Sequence, residues 1–530
     1  MRGQVVDSTV VPPEPAPAPS RPRTPLVRRA GFWLVVVAAA YPAAMLVLVA
    51  PHLPLGADES LYASQVSPRV PALAWTAARA PGITYLIAPI VQLTGSVTAL
   101  RSYLAVLAGV ALAAGYWPWL RALRRPAVVP VAALLFAGLW TALLYGAEDL
   151  PNSWVAFAAV AATGWFVRYG QRTARLAPLG VAVPLAVIAL LRPSDAGWVA
   201  LPLLATIALV RRWRRPSLAL AVVGGCLAGA ADWIVEAYLR FGGLAARLHE
   251  ASRQQGGIGF HPLGLLYQLR ALNGPLLCRP CSLHHLTAAH AWPLRAWWLA
   301  LPVLVVAALV VARRQRQLAA IAPAAAVATG IGICYLGTVD YAAPRFLLPA
   351  YALAALPVAS LLVAVPAALA RRRAVLAVLP RGRAVLAVLP AARDQRARRA
   401  VLVALVLLLA LHETAQLASL RRIVHRPDPT AAAAAELRRL GVRRPCVLAG
   451  PRRTQLAYRL GCTTSPPAGL PALAGRRQAV LLTWHRDDHR AGPGWRRHPM
   501  PRPHGVAPWY AFLAPAPGRR PPGTDARHPA

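Results

Sequence analysis

The stretch Ala30-Gly-Phe-Trp-Leu-Val-Val-Val-Ala-Ala-Ala-Tyr-Pro-Ala-Ala-Met-Leu-Val-Leu-Val-Ala50 runs directly into Pro51-His-Leu-Pro-Leu-Gly-Ala-Asp58-Glu59-Ser-Leu-Tyr62. The first part carries no charge and, as a helix rising about 1.5 Å per residue, is long enough to cross about 30 Å of hydrocarbon. No small-residue cleavage site follows it, so it reads as a retained first span and not as a signal peptide. The second part sets two adjacent carboxylates just beyond the span. In a chain with 18 acidic and 58 basic residues, acids at a membrane boundary are candidates for function.

The rest of the chain continues the pattern. Of its 530 residues 57% are hydrophobic and 14% charged, against about 25% charged in soluble domains. The class is a polytopic, all-α membrane protein. The formal charge of +40 comes from arginines in short clusters between apolar runs. That is a topology signal and not the basic surface of a nucleic-acid binder. Further runs near 97–120, 126–145, 151–168, 176–191, 196–212, 217–239, 296–312, 318–338, 345–369 and 400–418 bring the expected spans to eleven. Tryptophans near the boundaries, Trp117, Trp119, Trp297 and Trp298, read as an aromatic belt.

Arginines concentrate in alternate linkers: Arg121, Arg124 and Arg125; Arg168, Arg172 and Arg175; Arg211, Arg212, Arg214 and Arg215; Arg313, Arg314 and Arg316; and the long basic linker 371–399. The positive-inside rule makes these cytoplasmic, together with a disordered Pro- and Arg-rich tail over 1–29. The linker repeats Arg373-Ala-Val-Leu-Ala-Val-Leu-Pro380 as Arg383-Ala-Val-Leu-Ala-Val-Leu-Pro390, each apolar core being too short to span. The complementary linkers hold Asp58 and Glu59, Glu148 and Asp149, Asp195, and Asp340, with Asp232 and Glu236 near the end of the seventh span. Both signals predict a cytoplasmic N-terminus, a membrane region over 30–418, a small extracytoplasmic α/β domain over 419–515 and a disordered tail over 516–530. Two long loops, 51–96 and 242–292, then face outward. The first contains a short apolar segment suited to an interfacial helix; the second has the length of a lid.

Two of the six cysteines, Cys226 and Cys334, fall inside spans. Cys278 and Cys281, and Cys446 and Cys462, form two short-range pairs on the predicted outer side. Disulfides are expected there, since no second pair completes a tetrahedral metal site despite His284 and His285 nearby. In the C-terminal segment, 446–450 and 479–484 read as buried strands and 454–459 as a helix.

Four boundary elements belong together: Asp58-Glu59, Glu148-Asp149, Arg192-Pro-Ser-Asp195, and Asp340-Tyr-Ala-Ala-Pro-Arg345-Phe. A carboxylate there can take a proton from an acceptor hydroxyl, and arginines at the same depth can neutralise a phosphate leaving group. The bland readings are helix caps for the acid pairs, a local ion pair for Arg192 and Asp195, and a flanking anchor for Arg345.

A first span followed by Asp-Glu, then Arg79-Ala-Pro-Gly82 before a short surface segment, then Pro344-Arg-Phe-Leu-Leu-Pro-Ala-Tyr351 opening a late helix, resembles the multi-spanning GT-C glycosyltransferases. The resemblance is to the protein O-mannosyltransferase and aminoarabinose-transferase branch and covers mainly residues 30–370. It implies an inverting transfer of a sugar from a polyprenyl-phosphate donor to a cell-envelope acceptor, whether glycan, lipid or protein, on the outer face of a bacterial plasma membrane. It implies Asp58 as the base with Glu59 beside it, and Glu148 or Asp149 as a second acid. Arg79, Arg192 and Arg345 would lie near the phosphate, with Tyr62 and Asp195 in the substrate site. It implies no cofactor, while leaving room for a divalent ion on the carboxylates. No β-trefoil insert of the mannosyltransferase kind is recognisable, which bears on whether the acceptor is a protein. The alternative classes are a transporter or lipid flippase, in which the acids carry coupling protons, and a non-catalytic envelope-assembly protein.

Overall fold

A computed structural model describes residues 24–171, 176–257, 259–272, 276–279, 281, 292–377, 384–502 and 507–515. The tail through 23, Arg172 and Arg175, His284 and His285, and the tail from 516 lie outside the described residues. The eleven predicted runs all fall on helical segments, one of them on two helices. The chain opens with α1 (Thr24–Leu48), and the first loop contributes α2 (Ala57–Val66) and α3 (Gly82–Leu93), the short apolar segment expected there. There follow α4 (Val97–Tyr116), the short α5 (Trp119–Ala122), α6 (Val128–Ala137), α7 (Trp140–Gly146), α8 (Pro151–Gly170), α9 (Ala177–Leu191), α10 (Pro193–Leu209) and α11 (Pro216–Arg240). The second loop forms α12 (Leu244–Gln254) and α13 (Gly264–Ala271), and the bundle closes with α14 (Trp292–Arg314), α15 (Leu318–Gly337), α16 (Leu348–Ala377) and α17 (Ala384–Val424).

Among the described residues seven helices are long and apolar enough to cross a membrane, and eight if a bent pair counts as one. The protein is therefore a multi-pass membrane protein. Helices α9 and α10, of 15 and 17 residues, reach about 25 Å each and meet at Arg192.

Several expectations need correction. The run 126–145 is two helices, α6 and α7, bent by 75° at Gly138 and Leu139. A break inside the bilayer frees backbone N–H groups that must be satisfied by protein. Gln416 of α17 meets that need, its Oε1 accepting from Trp140 N at 3.0 Å. Residues 24–29, expected in the disordered tail, form the first turns of α1. The second copy of the duplicated linker begins α17. Trp119 and Trp298 are buried, not members of a belt: Trp119 donates to Val160 O at 2.9 Å and Trp298 to Tyr351 Oη at 2.8 Å.

Lipid offers apolar side chains no reason to associate, so close backbone packing holds such bundles together. On α11 the glycines Gly225 and Gly229, four residues apart, sit against Ala182 and Ala186 of α9; a Cβ on Gly225 would lie 2.5 Å from the Ala182 carbonyl oxygen. Gly109 of α4 packs in the same way, with a Cβ position 2.6 Å from Ala38 O of α1.

After α17 comes a small sheet domain: α18 (Pro429–Arg439), β1 (Cys446–Ala449), α19 (Arg453–Leu460), β2 (Thr463–Thr464), α20 (Leu470–Ala474), β3 (Gln478–Thr483), β4 (Arg496–Pro499) and β5 (Tyr510–Leu513). Strand order is β2-β1-β3-β5-β4, parallel over the first three and antiparallel beyond. Cys446 and Cys462 form a disulfide between the starts of β1 and β2, and Cys278 and Cys281 form a second in the loop before α14. Cys278 also pairs with Ala342, its N–H donating to Ala342 O at 2.9 Å. The small domain rests on the first loop: Leu61 of α2 and Leu73 share a core with Leu437, Leu456, Ala457 and Trp509.

Replacing Gly225 or Gly229 by leucine is expected to cost about 1–3 kcal/mol each through overpacking. A lower Tm in detergent, with Gly224→Leu as an unaffected control because a Cβ there meets nothing within 4 Å, checks this; equal Tm values for all three refute the packing argument.

Candidate active site at the end of the bundle

Helix α2 is capped by Gly56, whose N–H donates to Glu59 Oε2 of the first turn at 2.7 Å. Glu59 is 1% exposed and faces the bundle, where Arg101 of α4, itself fully buried, donates to both of its oxygens. The backbone N–H of Asp149 donates to Glu59 Oε1 at 3.0 Å. The same guanidinium donates to Pro54 O and Ala147 O at 2.9 Å and to Leu53 O at 3.4 Å. Arg101 thus binds the end of the α1 turn, α2 and the turn before α8 into one knot. It was not among the residues singled out from sequence, although a lone arginine in an apolar span was the available signal.

Asp58, one position earlier, points elsewhere. Its side chain is 34% exposed and lies between two guanidiniums, Arg79 Nη2 at 2.7 Å from Oδ1 and Arg345 Nη2 at 3.1 Å from Oδ2. Arg79 comes from the loop after α2 and Arg345 from the 3-10 turn Pro344–Leu347 before α16. Tyr62, one turn along α2, lies under Arg79, the guanidinium carbon 5.2 Å from the ring centre. Burial works against ionisation of Asp58, but Arg79 and Arg345, with Arg192 behind them, hold its carboxyl below the usual range.

Arg192 forms an ion pair with Asp195 at 3.1 Å and donates to Tyr335 Oη at 2.8 Å, while Tyr335 Oη donates to Asp195 Oδ1 at 2.6 Å. Tyr335 stacks on Phe346 at 4.7 Å, and the guanidinium carbons of Arg192 and Arg345 lie 5.8 and 5.5 Å from the Phe346 ring centre. The local pairing weighed for Arg192 and Asp195 is therefore present, and it also builds the wall that carries Arg345. Asp340 lies apart, against Gly256 of the second loop.

Glu148 and Asp149 are both buried. Burial and the negative charge of Glu59 push the Glu148 carboxyl up to about 8, against the opposing pull of Arg101 and Arg345. The same two causes raise Asp149 well above its ordinary range. One end of the bundle therefore combines an ionised, accessible carboxyl with a buried carboxyl that keeps its proton near neutrality. Such a division lets neighbouring acids take different roles.

Two outcomes follow. Arg101→Met leaves Glu59 buried without its countercharge and is expected to cost about 3–5 kcal/mol. The double variant Arg101→Met with Glu59→Gln is expected to recover part of that, read as monodisperse yield and Tm; no recovery would mean that the charge is not the cause. Glu148 gives the protein stability that is complete below its ordinary value of 4.5 and is lost as pH rises through about 8. Glu148→Gln is therefore expected to flatten the fall in Tm between about pH 5 and about pH 9, and an unchanged slope would remove Glu148 as its source.

Neither a family model nor a curated protein matches the sequence. Solved structures do match the fold. ArnT from Cupriavidus metallidurans bound to undecaprenyl phosphate aligns with a TM-score of 0.59 at 14% identity, over 92% of this chain and 99% of that one. The same protein in its apo state gives 0.59 at 15% identity, over 93% and 100%. The Archaeoglobus fulgidus oligosaccharyltransferase in its apo form gives 0.52 at 13% identity, over 87% of this chain and 69% of that one. The likeness extends through nearly the whole chain, and this protein has the fold of the multi-spanning GT-C glycosyltransferases.

Proposed function

We propose that the protein is a membrane glycosyltransferase that moves a sugar from a polyprenyl-phosphate donor to an acceptor hydroxyl of the cell envelope, on the extracytoplasmic face and with inversion. The observation that carries this reading is the convergence of Arg79, Arg345 and Arg192 around the half-buried Asp58. Membership of a fold that includes a protein solved with undecaprenyl phosphate supports the donor class.

The acceptor hydroxyl approaches the anomeric carbon from the side opposite the phosphate, and its proton passes to Asp58. The new C–O bond forms as the bond from the anomeric carbon to the phosphate oxygen breaks, and the electron pair leaves with the phosphate. Three guanidiniums against the carboxylates of Asp58 and Asp195 leave one net positive charge, which matches a phosphodiester monoanion. After transfer the phosphate has gained a negative charge and Asp58 has lost one, so the site stays neutral across the reaction. Guanidiniums that turn to the leaving oxygen once the donor is bound would stabilise that shift. In this reading Glu59 anchors the helix and Asp149 closes the knot, while Glu148, holding its proton, keeps negative charge from accumulating beside the phosphate.

The test is transfer of labelled sugar from undecaprenyl-phosphate donors, by protein in nanodiscs, into envelope fractions from cells lacking the protein. Asp58→Asn is expected to lower kcat by about 10²–10⁴-fold with yield and Tm unchanged. Arg345→Ala is expected to raise the donor KM as well. An Asp58→Asn protein with full activity refutes the assignment.

A further inference from the structure

Helix α11 carries Asp232 and Glu236 one turn apart, and the chemistry at Asp58 uses neither. Asp232 accepts a bond from Tyr85 Oη of α3 at 2.6 Å. Glu236 accepts from Arg247 of α12 at 2.7 Å. Arg247 is 0% exposed. Its Nε donates to Ala77 O at 3.1 Å, its Nη1 to Trp233 O at 2.6 Å, and its Nη2 also to Arg79 O at 2.9 Å. The rings of Trp233 and Phe241 cover it, their centres 4.3 and 4.6 Å from the guanidinium carbon. A buried guanidinium is expensive unless paired and hydrogen-bonded; this one has an acid, three carbonyls and two aromatic faces.

Two of those carbonyls belong to residues 77–79, which lie in neither helix nor strand. A turn bond from Arg79 N to Thr76 O at 3.1 Å is part of what shapes this segment. Arg79 is also the residue whose side chain reaches Asp58. Arg247 leaves that side chain free and holds the backbone beneath it. We propose that Arg247 is a positioning residue: from α12, and braced by Glu236, it fixes the backbone of 77–79 and so sets the Arg79 guanidinium against Asp58. The consequence for catalysis rests on the reading of Asp58 as proton acceptor given above. The second loop thereby acts on the chemistry without touching substrate.

The experiment compares Arg247→Met, Arg247→Lys and Glu236→Gln with the parent, as full-length protein in nanodiscs. Hydrogen exchange of peptides covering 74–82 reads the positioning directly. It is expected to speed up by about tenfold in Arg247→Met, less in Glu236→Gln, and to be unchanged in α4 and α8. Arg247→Lys keeps the charge for Glu236 but cannot hold carbonyls on both sides, and is expected between the two. The second readout is the acid limb of kcat/KM. With Arg79 displaced, Asp58 keeps Arg345, Arg192, Glu148 and Tyr341 around it but loses a guanidinium, so the limb is expected to move up by about one pH unit. The donor KM is expected to rise with it. A general loss of folded enzyme lowers kcat without moving the limb. Unchanged exchange at 74–82 overturns the proposal, as does a fall in activity with the acid limb in place. If the parent protein transfers no sugar from any donor, the functional reading falls, and the exchange data alone decide whether Arg247 sets this segment. Glu236→Gln carries the test should Arg247→Met fail to fold.

Discussion

The buried pair between Glu59 and Arg101 fixes the orientation of α2, and with it most of the geometry at that end of the bundle. Two charges removed from water repay their desolvation only when every donor and acceptor is used. Here Glu59 accepts from Arg101, Gly56 and Asp149, and Arg101 also donates to three carbonyls. Such a knot specifies geometry more than it adds stability. Successive residues on a helix are turned by about 100°. Anchoring Glu59 into the bundle therefore directs Asp58 sideways, toward the loop of Arg79 and the turn of Arg345. The Asp-Glu doublet is one device with two functions: the second residue aims the first.

The surrounding charges follow from that orientation. Glu59 is neutralised by Arg101, yet its charge still raises Glu148 and Asp149, which share the dry interior with it. Asp58 sits where water and arginines both reach it, and its carboxyl is held low. Carboxyls a few residues apart in sequence, or adjacent in space, thus differ in protonation because their burial and partners differ. The Phe346 ring centre lies 5.8 and 5.5 Å from the guanidinium carbons of Arg192 and Arg345, adding an aromatic contact to the two like charges that Asp195 and Asp58 pair.

Much of the fold was legible because apolar length is a direct physical requirement of a bilayer, and the eleven runs all proved helical. The break at Gly138 was not, since the run 126–145 is apolar throughout and its compensation, Gln416, lies 276 residues from Trp140. Trp119 and Trp298 were misplaced because sequence gives the depth of a residue and not its azimuth. Asp58, Arg79 and Arg345 stood out by charge and position. Arg101, Tyr335 and Arg247 did not, since their importance lies in contacts that only the packed structure defines. In the small domain β1 and β3 are buried and read as strands, whereas β4, Arg-Arg-His-Pro with two exposed arginines, has no such pattern.

The seating of the small domain on α2 has a consequence for biogenesis. A chain emerges from its N-terminus first, so α2 and its two acids are made long before the segments that complete their surroundings. Asp58 waits for Arg345, 287 residues later, and Leu61 for Leu456 in a domain made after the last span. The surroundings of α2 are therefore completed by residues that follow it by hundreds of positions in the chain. A chain ended before Arg345 would carry Asp58 and Glu59 on α2 without the second guanidinium that brackets Asp58.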